Sequence, residues 1–166
     1  TSGADNTAVG ELALNALTIG AGNVAVGTRA ADVTVEGTYN TAIGSDALAT
    51  NVNGDNNTAV GQAALFTFNS ADEGKNTAIG SESGGYVSTG QSNTFVGYKA
   101  GQCNSSTNLT GDGNTAIGDS AGLLLQGDSN YNTLVGHLAG NAITTGDYNT
   151  CLGYGTDCAV TAGNQI

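Results

Sequence analysis

One phrase, Asn-Thr-Ala-(Val/Ile)-Gly, governs this chain. It recurs nine times in phase, with one or two substitutions in some copies. The copies start at Asn6, Asn23, Asn40, Asn57, Asn76, Asn93, Asn114, Asn132 and Asn149. Their intervals are 17, 17, 17, 19, 17, 21, 18 and 17 residues. The irregular intervals place extra residues near 69–74, 102–109 and 123–128. A fixed period means a stack of small units, each burying its apolar side on the next.

Each unit reads Gly-x-x-Asn-Thr-Ala-Val-Gly-x-x-Ala-Leu with small edits. Two or three glycines in a 17-residue unit rule out a pair of helices. A β-branched triplet between glycines reads as a short strand bounded by turns. One unit is therefore expected to form one coil of a parallel β-solenoid, or β-roll. Nine coils about 4.8 Å apart give a rod of roughly 40 Å. The whole chain, 1–166, is read as a single all-β repeat domain and as a piece of a longer fibre.

Neighbouring strand residues point to opposite faces. Asn and Ala therefore share one face, Thr and Val/Ile the other. The Ala column, expected in the coil interior, is Ala8, Ala25, Ala42, Ala59, Ala78, Phe95, Ala116, Leu134 and Cys151. The Val/Ile column is Val9, Val26, Ile43, Val60, Ile79, Val96, Ile117, Val135 and Leu152. Both columns are apolar, so both faces of each strand need cover. One coil covers only its inside, and the Val/Ile column is expected to pack against another copy of the chain. The nine motif asparagines are expected to stack as a ladder of hydrogen bonds that ties the turns together.

Sizes within the coil support the inward assignment. Ala8, Ala42 and Ala59 are followed six residues later by Leu14, Leu48 and Leu65. Phe95 and Leu134 are followed instead by Gly101 and Gly140. Two columns filling one fixed space should trade volume in this way. Ala78 with Gly84 and Ala116 with Gly122 break the rule, and Tyr86 and Leu123 are expected to fill those gaps.

Fourteen acidic residues against three basic ones give a net charge of −11. Such a surface disfavours nucleic acid, which needs basic side chains to displace counterions, and disfavours anionic membranes. No apolar run is long enough to span a bilayer, so membrane insertion is not expected. The chain opens at Thr1 without a signal peptide and reads as processed or excised.

The repeated phrase resembles the head repeats of the trimeric autotransporter adhesins (YadA-like), and similar repeats occur in bacteriophage tail fibres. The resemblance runs over about residues 3 to 163. It implies a left-handed β-roll in a tight homotrimer, with the Val/Ile column near the shared axis. The departures are a longer coil and Thr where the adhesin heads often carry an apolar residue. The expected role is a structural segment of an extracellular attachment fibre, on a cell-surface appendage or a virion. A cell-surface glycan or protein receptor is the further partner. A monomeric solenoid binding ice or carbohydrate is the alternative; a Thr array favours ice, but the second rank here is Val/Ile.

No catalytic, metal or cofactor set emerges. His137 is the sole histidine and stands in a variable, surface-like position, so no nucleophile–base pair can be assembled. Asp55, Asp112, Asp128 and Asp147 follow turn glycines and read as solvated acids, since the nonapeptide of calcium-binding β-rolls is absent. Tyr39, Tyr98, Tyr131, Tyr148 and Tyr154 are candidate sugar-stacking rings, read first as turn aromatics covering coil edges. Asn56, Asn104 and Asn108 open glycosylation triplets. Of the three cysteines, Cys151 reads as a stand-in for a small buried Ala; pairing with Cys158 is the alternative. Ile166 falls 17 residues after Asn149, where Ile in place of Asn would mark a cap or a junction.

Overall fold

The computed structural model describes residues 3–71, 73–103 and 105–158. It is an all-β parallel solenoid whose nine three-residue strands are β1 (Thr7–Val9), β2 (Val24–Val26), β3 (Thr41–Ile43), β4 (Thr58–Val60), β5 (Thr77–Ile79), β6 (Thr94–Val96), β7 (Thr115–Ile117), β8 (Thr133–Val135) and β9 (Thr150–Leu152). They form one sheet in chain order, each paired in parallel with the next. Coils are numbered here by their strands. The register is in phase throughout: Ala42 stands beside Ala59, and Ile43 beside Val60. The 19- and 21-residue intervals do not break it, because Ala59 still meets Ala78 and Phe95 still meets Ala116.

Hydrogen bonds between coils continue past the strands. Thr41 N–H donates to the Asn57 carbonyl and Gly44 N–H to the Val26 carbonyl, both at 2.8 Å. Around the turn, Asp46 N–H donates to Thr28 and Leu48 N–H to Ala64, at 3.0 and 2.9 Å. The backbone is thus satisfied by neighbouring coils almost all the way round, as buried amides require.

The turns depend on left-handed backbone. Among the described residues twenty non-glycine positions have positive φ. They fall mainly in three columns: the residue before the motif Asn, and the second and fourth residues after the motif Gly. In coil 3 these are Tyr39 (φ 55°), Asp46 (φ 59°) and Leu48 (φ 52°). Asp46 takes the third place of a turn closed by Ala47 N–H on the Gly44 carbonyl at 3.3 Å, the place where a type II turn needs positive φ. The motif Gly itself is irreplaceable. Gly44 has φ 133°, and a Cβ there would sit 2.5 Å from the Gly61 carbonyl oxygen in the next coil.

The core is narrow. Ala25, Ala42, Ala59, Ala78, Phe95, Ala116, Leu134 and Cys151 are buried on the inner face of the strands. Ala8 is the correction to that column: it is exposed, because coil 1 has a neighbour on one side only. A second buried column lines the opposite wall and was not expected: Thr34, Asn51, Phe68, Val87, Leu109, Leu125 and Ile143. The size trade is real. A Cβ on Gly101 would collide with the Phe95 ring, and one on Gly140 would lie 2.9 Å from Leu134 Cδ1. The two exceptions are filled in part from neighbouring coils. Leu65 and Phe95 reach the space beside Gly84, and Leu134 and Leu125 the space beside Gly122. Tyr86 packs against the core only in part, and Leu123 remains half-buried.

Candidate functional site

The motif asparagines form a continuous ladder. Asn40 N–H donates to Asn23 Oδ1, Asn57 N–H to Asn40 Oδ1 and Asn93 N–H to Asn76 Oδ1, each at 2.9 Å. The side-chain amide reaches the carbonyl before the next motif: Asn23 to Gly37, Asn76 to Gly90 and Asn132 to Gly146, each at 2.8 Å. Asn114 continues the ladder to Asn93, and Asn149 to Asn132. Asn6 opens it, accepting from Asn23 N–H at 2.9 Å, and is only half-buried in the end coil. This column ties coil to coil and, from Asn23 to Asn149, is buried.

The turn acids are partly structural as well. Asp55, Asp112 and Asp147 each accept a backbone N–H of the preceding coil through Oδ1, from Thr38, Gln91 and Asn130 at 2.6, 2.7 and 2.7 Å. They remain partly exposed to solvent and at the same time knit adjacent turns. Asp128 accepts the Asn130 amide at 3.2 Å. Among the described residues no group of three or more His, Cys, Asp and Glu side chains is arranged to hold a metal ion.

The outer face of the sheet carries the exposed pattern. On it the column Thr7, Val24, Thr41, Thr58, Thr77, Thr94, Thr115, Thr133 and Thr150 runs beside the Val/Ile column, in register across all nine strands. Val26, Val60, Val96 and Val135 are half-buried, while Ile43, Ile79 and Ile117 are 39%, 42% and 40% exposed. Their shielding comes from ladder neighbours above and below. Val9 and Leu152, each with one such neighbour, rise to 57% and 74%. From Val26 to Leu152 the row alternates Val with Ile or Leu, so it is corrugated with a period of two coils.

The remaining candidates sit at the surface. His137 is exposed, with Nε2 4.0 Å from Asp119 Oδ1 and its ring 5.3 Å from that of Tyr154. Tyr39 and Tyr131 lie flat over Gly22 and Gly113, where a Cβ would fall 2.7 and 2.6 Å from the rings. Tyr131 also stacks on Tyr148, ring centres 5.2 Å apart, and both remain more than half exposed. Lys99 Nζ lies 5.2 Å from the centre of the Tyr98 ring. The hydrogen bond with Tyr98, and then the charge of Glu82, raise its pKa above the ordinary lysine value.

Cys151 fills its small inward position and is also bonded to Cys158, with Cα atoms 5.9 Å apart. Cys103 is a buried free thiol whose pKa is pushed up by burial; it donates to the Gly101 carbonyl at 2.8 Å. Asn56 is exposed, Asn108 half-buried, and Asn104 and Ile166 lie outside the described residues. No helix of the described residues is long and apolar enough to cross a membrane. No family model, curated protein or solved structure compared with the chain matches it.

Proposed function

We propose that the chain is a structural segment of an extracellular homotrimeric attachment fibre, its Val/Ile rows packed together about a common axis. One observation carries the reading: the corrugated aliphatic row on the outer sheet face, which neighbouring strands of the same chain cover only in part. Covering what remains exposed of each side chain contributes on the order of 1 kcal/mol per residue. Three copies in axial register would place Ile layers and Val layers alternately along the axis. The acidic surface would then face outward and keep the rod from sticking to its neighbours. A left-handed coil belongs to the same proposal, on the strength of the motif resemblance.

Ice binding remains the second reading, because a regular Thr column does lie half-exposed on a sheet face. The corrugation disfavours it, since a planar lattice calls for ranks of even height. Light scattering on the purified chain separates the two. The fibre reading expects three times the 16.3 kDa chain mass. A monomer that slows ice growth would favour the alternative.

A further inference from the structure

The turn side of coils 2 to 6 carries a groove of about 290 Å³ that none of the features above uses. We propose that it binds a neutral saccharide chain lying along the solenoid axis. Two rails bound it. One is the second residue after the motif Gly in successive coils: Arg29, Asp46, Ala63 and Glu82. The other comes from the fifth residue after that Gly: Phe66, Gly85 and Gln102, with Tyr86 beside them. The smallest member of each rail, Ala63 and Gly85, stands between larger neighbours, and that is why a depression exists. Four coil steps make it roughly 19 Å long.

The lining has the chemistry of a sugar site. Phe66 is 37% exposed and Tyr86 is half-buried against the core, giving a fixed aromatic floor for apolar C–H faces. Carboxylates and amides stand beside them as hydroxyl partners. Asp46 accepts from Arg29 at 2.6 Å; Glu82 accepts from Gln102 and lies 3.7 Å from Lys99 Nζ. Two of the three basic residues of a chain with net charge −11 thus stand here, Arg29 in the lining and Lys99 beside it against Glu82. Because they offset Asp46 and Glu82, the groove attracts no cation or basic peptide strongly. Oriented charged groups with spare lone pairs and N–H bonds suit a neutral, hydroxyl-rich ligand.

The inference gives the attachment reading its receptor class, but the groove and the aliphatic row share no residue. A trimer that binds no sugar would overturn only this inference, and a monomer that binds sugar only the fibre. The probes are cellohexaose, chitohexaose and maltohexaose, titrated into the purified chain by calorimetry and saturation-transfer NMR. At least one should bind, with transfer to the Phe66 and Tyr86 rings. Phe66→Ala should weaken it at least tenfold, and Tyr131→Ala should leave it unchanged. Ala63→Leu fills the depression at little cost to folding, because coils 1 and 8 already carry Leu12 and Leu138 there at φ 58° and 59°. It should abolish binding while circular dichroism stays that of the parent. Absence of binding by all three hexasaccharides would overturn the proposal. So would binding that survives both Ala63→Leu and Phe66→Ala.

Discussion

The same three-residue strands present two unlike faces. Inward, Ala59 and Asn57 are fully buried, and every ladder amide from Asn23 to Asn132 has partners above and below. Outward, Thr58 and Val60 stand half-exposed beside Thr77 and an exposed Ile79. Both faces are equally regular in sequence, so regularity alone does not tell cover from exposure. What separates them is size and bonding. The inner columns trade volume in most coils and leave few polar atoms unpaired. The outer Val/Ile column stays aliphatic throughout, yet it is left half-buried or exposed by the described residues.

Substitutions on the two faces should therefore differ in kind. The largest expected effect is inside. Phe95→Ala should cost about 3–5 kcal/mol in chemical denaturation. Adding Gly101→Leu should recover part of it, because Leu48 and Leu65 occupy that column at the same backbone angle. Absence of any recovery would break the volume-trade account. Next comes Asn76→Ala, which strands the Asn93 N–H and the Gly90 carbonyl in the interior. Its expected cost is about 3 kcal/mol, since each buried orphan costs about 1–3. Asp112→Ala removes one bond from the Gln91 N–H at the rim and should cost about 1 kcal/mol. On the outer face, Val60→Thr and Val96→Thr should change the separated chain by less than about 0.5 kcal/mol. The same pair should lower the assembled mass at a given concentration. Equal costs on both faces would contradict the comparison.

Much of this was legible because the repeat is in phase. Strand positions, chain-order pairing and the inward asparagines follow from a triplet of fixed polarity at a fixed offset. The left-handed columns were legible too, but by an absence. Leu12, Arg29, Asp46, Ala63, Glu82, Lys99, Ser120 and Leu138 include no Val, Ile or Thr, and neither do Leu14, Ala31, Leu48 and Leu65. β-branched side chains are strained at positive φ, so a variable column that never admits them marks such a turn. The second inner wall carried no signal of that sort. Thr34, Asn51, Phe68 and Val87 share neither polarity nor size, and the insertion before Leu109 shifts the count there. The groove was also hidden. It arises from small residues on two different rails in adjacent coils, and only the stacking brings Ala63 and Gly85 together.

The mass of the purified chain in solution, followed by light scattering across a dilution series, tests the central claim most directly. If identical neighbours cover the Val/Ile row, the mass is three times 16.3 kDa and falls when Ile79→Asp is introduced. A mass of 16.3 kDa at every concentration, unchanged by that substitution, would contradict it.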